Sequence, residues 1–372
     1  MRVIVWGTYD TSKPRVRLLL RGLREAGVEL IEIHAPIWEG VADKGTLGKG
    51  SALWFGLRLL ASYPRLIWRF MRAPRADAIL VSYPGHLDVL VLWLFAKLRG
   101  MPVLWDVFLS AYNTVVEDRQ KLQAGGLAAR VIRAFEKLAV RAVARPFMDT
   151  RSHADYLAAL AGLDADDVGH VPVGVEPEAF PPAQSIPGQD GLIKVLFYGQ
   201  FIPLHGIETI VEAARLDADK RIRWTLIGKG QMEPHIRRML NETPLAHLDW
   251  IPWVDYAALI THIHAADVCL GVFGTTDKAG RVIPNKVFQI LSAGKPLVTR
   301  ESADLRALVG PDPAVGFVAP GDPDALLHAV LEMAETTSAA NAPYHSEIWP
   351  TIAPLAVGQA AKAEIEKAVS PI

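Results

Sequence analysis

The chain has 372 residues, 51% hydrophobic and 21% charged, with 39 Lys plus Arg against 40 Asp plus Glu. That length exceeds one ordinary core and suits two α/β domains, while the composition excludes a disordered chain and the balanced charge excludes an overall nucleic-acid binder. The one cysteine, Cys269, excludes a disulfide framework and a cysteine metal site, and a reducing cytoplasm is the expected compartment.

Met1-Arg-Val-Ile-Val-Trp-Gly7 runs directly into a strand pattern without the apolar region or cleavage site of a signal peptide, so export by that route is not expected. Strands are expected over Arg2 to Trp6 and Val28 to His34. The leucines at 18, 19 and 23 predict a helix over Arg15 to Ala26 that stops at Gly27. From Lys44 to Ala76 there is no acidic residue, and Arg58, Arg65, Arg69, Arg72, Arg75 and lysines 44 and 49 are interleaved with aromatic and aliphatic residues. Trp54, Arg58, Arg65, Trp68, Arg69 and Arg72 are therefore candidates to face an anionic membrane surface. The alternative is one or two helices with core faces and snorkelling arginines.

Further strands are predicted over Ala78 to Ser82 and Val103 to Phe108, with a helix from Asp88 to Arg99 between them. The apolar run Leu87 to Leu98 is interrupted by Asp88 and Lys97 and is too short to span a bilayer, so it reads as a buried helix. Tyr83-Pro-Gly-His-Leu-Asp88 and Asp106-Val-Phe-Leu-Ser-Ala-Tyr-Asn-Thr114 end strands at a carboxyl edge, where open α/β sheets bind ligands. Asp149-Thr-Arg-Ser-His153 precedes a helix and is a capping pattern or a cleft-facing group. Asp164-Ala-Asp-Asp167 reads as a turn or cap rather than a metal site, and no divalent metal or other cofactor is expected. Pro181 to Asp190 is the linker candidate.

The second half restarts the rhythm with a strand over Lys194 to Tyr198, a helix over Gly206 to Leu216 and a strand over Arg223 to Ile227. A helix over Met232 to Leu240, a strand over Val268 to Val272, a helix over Asn285 to Ala293 and the run Pro296 to Thr299 follow. The domains expected are 1–180, 181–350 and a C-terminal helix in 351–372 packing back on the first.

Four segments carry a resemblance: Tyr198-Gly-Gln-Phe-Ile-Pro-Leu-His-Gly-Ile207, Leu226-Ile-Gly-Lys-Gly-Gln231, Ala265-Ala-Asp-Val-Cys-Leu-Gly-Val-Phe273 and Pro284-Asn-Lys-Val-Phe-Gln-Ile-Leu-Ser-Ala-Gly-Lys-Pro-Leu-Val-Thr299. In order and spacing they resemble the blocks of glycosyltransferase family four. The resemblance implies a GT-B fold, two Rossmann-like α/β domains with parallel sheets facing across a cleft. It also implies a retaining transfer from a nucleotide diphosphate sugar to a sugar or lipid-linked acceptor, in polysaccharide or glycolipid assembly on the cytoplasmic side.

The expected donor site follows that pattern. Helix N-termini and cations hold diphosphate, and the candidates are Gly7, Gly199, Gln200, His205, Gly206, Lys229, Lys278, Lys286 and Gln289, with Trp253 and Val254 against the base. The family pattern carries a Glu, seven residues and a second Glu where this chain has Arg281 and Gln289. Gln289 retains a hydrogen-bond acceptor for ribose, whereas Arg281 is turned toward phosphate or an acidic sugar. The family's His after the fourth strand is replaced by Phe108, so His86, Asp106 and Tyr112, with Arg281, are the catalytic candidates. A nucleotide-sugar epimerase and a catalytically silent nucleotide-sugar binder or scaffold remain alternatives.

Overall fold

The computed structural model describes residues 1–38, 49–183, 191–337 and 344–370. Lys44 and positions 184–190 of the expected linker lie outside the described residues. The chain divides into two compact units: Met1–Val116, Lys121–Gly174 and Pro354–Ile372 form the first, Glu117–Gln120 and Val175–Ala353 the second.

In the first unit the chain alternates β1 (Arg2–Gly7), α1 (Pro14–Glu25), β2 (Glu29–His34), α2 (Lys49–Arg72), β3 (Ala78–Val81), α3 (His86–Leu98), β4 (Val103–Asp106), α4 (Leu127–Arg141), β5 (Arg145–Met148), α5 (Arg151–Ala161) and β6 (Gly169–His170). The six strands are parallel in the order β2-β1-β3-β4-β5-β6. Their direction of travel reverses at β1, and right-handed crossovers then put α1 on one face and the later helices on the other. The two cores follow that division. Val3 and Val5 pack with Val16, Leu19 and Leu23 of α1, while Ile4 and Trp6 pack with Phe70, Leu92, Val140 and Leu157 of α2 to α5.

The second unit runs β7 (Ile193–Tyr198), α6 (Ile207–Leu216), β8 (Ile222–Ile227), α7 (Glu233–Glu242), β9 (Leu248–Ile251), α8 (Tyr256–Ala265), β10 (Val268–Leu270), α9 (Asp277–Arg281), α10 (Asn285–Ser292), β11 (Leu297–Arg300), α11 (Ala303–Val309), β12 (Val315–Val318), α12 (Pro323–Thr337) and α13 (Trp349–Ile352). Its six parallel strands are ordered β12-β11-β10-β7-β8-β9, so the strand order reverses between β7 and β10. A crevice at the carboxyl end of such a reversal is where open α/β sheets receive ligands.

The last helix, α14 (Pro354–Val369), belongs to the first unit and lies on α1. Val357, Ala361 and Ile365 enter the core of α1, and Glu364 accepts from Arg145 Nε at 2.7 Å. Two glycines let the helices meet: a Cβ on Gly358 would stand 1.8 Å from the Gly22 carbonyl oxygen, and one on Gly22 would stand 2.1 Å from that of Pro354.

The two compact units meet in sequence after Gly174, and Val175–Ala183 is tied to the second unit: Ala183 N–H donates to Ala293 O, and Ser292 Oγ to Phe180 O. Within the basic stretch, Lys49–Arg72 form one helix, α2, with Pro64 inside it, as in the alternative of one or two helices. The run Leu87–Leu98 is not a buried helix, since Trp93, Leu94 and Leu98 are exposed on α3. Among the described residues no helix is long and apolar enough to cross a membrane.

Adding one methyl at the α1–α14 contact must move backbone. Gly358→Ala is expected to cost about 1–3 kcal/mol, read as a lower denaturant midpoint for the first unit, while Gly27→Ala tests only backbone conformation because nothing stands within 4 Å of its added Cβ.

Candidate functional site

At the reversal point of the second unit, β7 ends in Tyr198-Gly199. Gly199 has φ 145°, a region that favours glycine, and an added Cβ would lie 3.1 Å from both His205 Cε1 and Lys286 Nζ. Those two side chains and the glycine thus share one spot beside the strand end. Lys286 sits in the first turn of α10 and is 5% exposed. Its ammonium donates to the Gly271 carbonyl at 3.3 Å and lies 3.7 Å from the centre of the Phe197 ring. Burial holds its pKa well below the usual lysine range, since one carbonyl and one aromatic face replace little of the lost hydration.

His205 is held neutral. Its pKa is pushed well down, first by burial and then by the Lys286 charge. Nδ1 pairs with the Gln200 carbonyl, so it is the protonated nitrogen and Nε2 is the acceptor. Gly206, at φ 61°, caps α6 with open backbone donors next to it. The loop around it is zipped to the strap after β10: Phe273 N–H donates to His205 O at 3.0 Å and Gly274 N–H to Leu204 O at 3.2 Å. Gln289, three residues along α10, accepts from the Tyr198 hydroxyl at 3.1 Å. One of its carbonyl lone pairs is therefore engaged within the protein.

The other predicted cations have other partners. Lys278, on the short α9, is buried and acts on Asp118, whose carboxyl is raised by burial against the pull of that lysine. Arg281 pairs with Asp277 at 3.2 Å. Lys229 is exposed, 5.8 Å above the ring of Trp253, which is itself largely exposed beside the half-buried Val254. Gln200 is exposed. Sequence reasoning missed Arg300, at the carboxyl end of β11, which donates to Gly274 O at 2.6 Å and Thr276 O at 3.3 Å and so braces the strap. Its position at a strand end was the available signal.

In the first unit the candidates fall into three small networks. Gly7 (φ 126°) does permit a close approach, but by Asp88: the carboxylate oxygen would lie 2.5 Å from an added Cβ. Asp88 accepts from Thr8 N–H and Tyr63 Oη, each at 2.8 Å, and burial raises its carboxyl above the usual range despite these donors. Asp106 is paired with Arg15 at 2.9 Å and both side chains are fully buried, so this candidate is a strut beneath the β4 edge rather than a group offered to a ligand.

His86 opens α3, half-buried, with its ring edge-on to Trp105 and Nε2 3.4 Å from Glu136. Glu136 is fully buried and also accepts from Ser110 Oγ at 2.9 Å, Ala111 N–H at 2.8 Å and Tyr112 N–H at 3.1 Å. Burial alone would raise its carboxyl, yet the His86 ring and the Tyr112 and Ser110 donors bring it below the usual range. His86 and the Tyr112 backbone are thus brought together, by a residue the sequence reading passed over. Glu136 is the only acid in a basic, apolar helix, which was its signal. His153 pairs with Asp149 at 2.6 Å, Thr150 caps α5, and Asp164 and Asp167 form a capping box.

Residues 193–336 match the family model of glycosyl transferases group 1. A probable glycosyltransferase, WbjE of Pseudomonas aeruginosa, is 26% identical over 174 residues, a match spanning 43% of this chain and 42% of that protein. Sucrose-phosphate synthase from Thermosynechococcus elongatus has a similar structure, with TM-score 0.71 at 15% identity over 99% of this chain and 98% of its own. Anabaena HepE in complex with UDP has TM-score 0.67 at 12% identity over 99% and 100%. Residues 193–336 are thus similar to glycosyl transferases group 1, and the fold, two six-stranded parallel sheets flanked by helices, is similar to that of the solved GT-B structures.

Proposed function

We propose that the chain is a glycosyltransferase that moves a hexosyl group from a nucleotide diphosphate sugar to an acceptor hydroxyl with retention. The observation that carries this reading is the buried Lys286 ammonium beside Gly199 and the start of α6, inside the segment that matches the family. A buried cation with so few partners is stabilised by an anion, and a diphosphate supplies one. The solved structures of HepE with UDP and with UDP-glucose support the same class of donor.

Transfer breaks the bond from the sugar C1 to the diphosphate and leaves negative charge on the departing group. Lys286 and the free N–H groups after Gly206 meet that charge where it develops. Neutral His205 offers Nε2 as an acceptor for a donor hydroxyl, and the free lone pair and amide of Gln289 serve the ribose. No divalent metal is required in this reading, because the ammonium and amides supply the positive field. His86, oriented by Glu136, is the acceptor-side candidate for accepting the hydroxyl proton. The acceptor is a sugar or lipid-linked hydroxyl in polysaccharide or glycolipid assembly, met at the cytoplasmic face of a membrane by a peripheral protein.

Turnover of a panel of nucleotide sugars, with and without lipid acceptors, tests the reading. Nucleotide diphosphate released only with acceptor supports transfer. Release or rearrangement without acceptor indicates an epimerase, and binding without turnover a silent binder. Lys286→Met is expected to lower kcat by about a hundredfold or more, with Arg65→Glu as an unaffected control on a soluble acceptor. Chelation with EDTA is expected to leave the rate unchanged.

The pH dependence has a defined sign. Free Lys286 loses its proton at lower pH than an ordinary lysine, and only the protonated form attracts the donor. Donor kcat/KM is therefore expected to fall as pH rises through that lowered pKa, and Lys286→Met to abolish this alkaline limb.

A further inference from the structure

The outward surface of α2, α3 and α4 is apolar where a surface helix is ordinarily polar. These helices lie side by side on one face of the first sheet, α3 packing against both neighbours, and their inner residues Phe70, Leu92 and Val140 already fill the core. On α4 the outer residues Leu127, Val131, Phe135 and Leu138 recur at i, i+4, i+8 and i+11, a single stripe that is exposed, Leu127 by 79%. On α3, Leu94 and Leu98 repeat one turn apart, with Leu98 70% exposed. On α2, Trp54, Leu57, Trp68 and Met71 are exposed on a common helical spacing. Soluble monomers rarely leave so continuous an apolar surface uncovered.

The charges on this face have one sign. From Trp54 onward the three helices contain two acids, Asp88 and Glu136, and both are buried. The exposed charged side chains are cations, among them Arg58, Arg65, Arg72, Lys97, Arg130 and Lys137. Three of them sit over the exposed indoles: Arg58 over Trp54 at 5.8 Å, Arg72 over Trp68 at 4.3 Å and Lys97 over Trp93 at 5.5 Å. Arg69 is the exception among the sequence candidates, being half-buried and donating to the Glu32 and His34 carbonyls of β2. A second copy docked through the same patch would set cation against cation. An anionic bilayer complements both features, taking indoles and aliphatic tips at the acyl boundary and arginines at the headgroups.

We propose that the outer faces of α2, α3 and α4 together form one docking surface for an anionic lipid bilayer. The proposal extends the membrane partner of the proposed function from α2 to a three-helix face. Its test reads lipid binding alone, so it fails or stands separately from the transferase reading.

The experiment is flotation of the full chain with vesicles of phosphatidylglycerol and phosphatidylcholine, against vesicles of phosphatidylcholine only. Wild type is expected to float with the anionic vesicles, to remain below with the neutral ones, and to be released by raised salt. Leu127→Glu combined with Leu138→Glu, on α4, is expected to cut the bound fraction about tenfold, and so is Leu98→Glu on α3. Circular dichroism and thermal unfolding confirm that these surface variants fold, and a blue shift of tryptophan emission on adding anionic vesicles to wild type reports burial of the indoles. Three results would overturn the proposal: flotation that ignores lipid charge, α3 and α4 variants that bind like wild type, or a dimer in light scattering that the α4 variant dissolves while no vesicle is bound.

Discussion

A lysine ammonium with one carbonyl and one ring for company organises the second unit. Lys286 is nearly without contact with water, so its charge must be met by protein dipoles or by a ligand. Everything around it limits the first option. Gly199 removes the side chain that would fill the space in front of it, and His205, kept neutral, contributes an acceptor rather than a second charge. Phe197 closes the floor with the face of its ring. The unit tolerates a costly charge at a strand end, and the diphosphate of the proposed donor would offset it.

The same edge has to stay rigid for that charge to be useful. Backbone bonds from Phe273 and Gly274 to the turn before α6 fasten the loops after β7 and β10 to one another, and Arg300 fastens the far side of the strap. The first unit solves the equivalent problem with buried acids. Asp88 pins the turn after β1, Asp106 locks to Arg15 under the end of β4, and Glu136 gathers the chain from Ser110 to Tyr112 together with His86. Donors outweigh burial at Glu136 alone, while burial still raises the Asp88 and Asp106 carboxyls; in all three the engaged oxygens act as nails through a loop rather than as reagents.

Much of this framework was legible along the chain. Strand-turn-helix rhythm located the sheets of both units, and the ordered blocks from Tyr198 to Thr299 brought Gly199, His205, Lys286 and Gln289 into view, because the first two lie in the loop after β7 and the last two sit three residues apart on α10. What stayed hidden depends on distance in sequence. Asp88 and Thr8 are 80 residues apart, and Asp106 and Arg15 are 91 apart, so neither pairing leaves a local pattern. Spacing also misled by proximity: Lys278, Arg281 and Lys286 stand within nine positions, yet the short α9 and the separate α10 send them to Asp118, Asp277 and the Gly199 edge respectively. The strand β5 escaped because Pro146 inside it argues against a central position.

Helix α4 shows a different limit of periodicity. Its apolar repeat is as regular as that of a core helix, and a pattern of spacing carries no sign saying which side faces inward. Burial supplies the sign: Glu136, the only acid, lies inside, and the leucines lie outside. An inverted helix of this kind loses the hydrophobic contribution of four large side chains unless something else covers them. Because α2 and α3 present the same combination of exposed apolar residues and cations, the inversion is shared across a layer rather than confined to one segment. A layer that pairs outward leucines and indoles with arginines, and hides its acids, matches the order of acyl chain and headgroup at a bilayer surface, which ties the placement of Glu136 to two tasks at once: holding the loop beside His86 and keeping negative charge off the outer face.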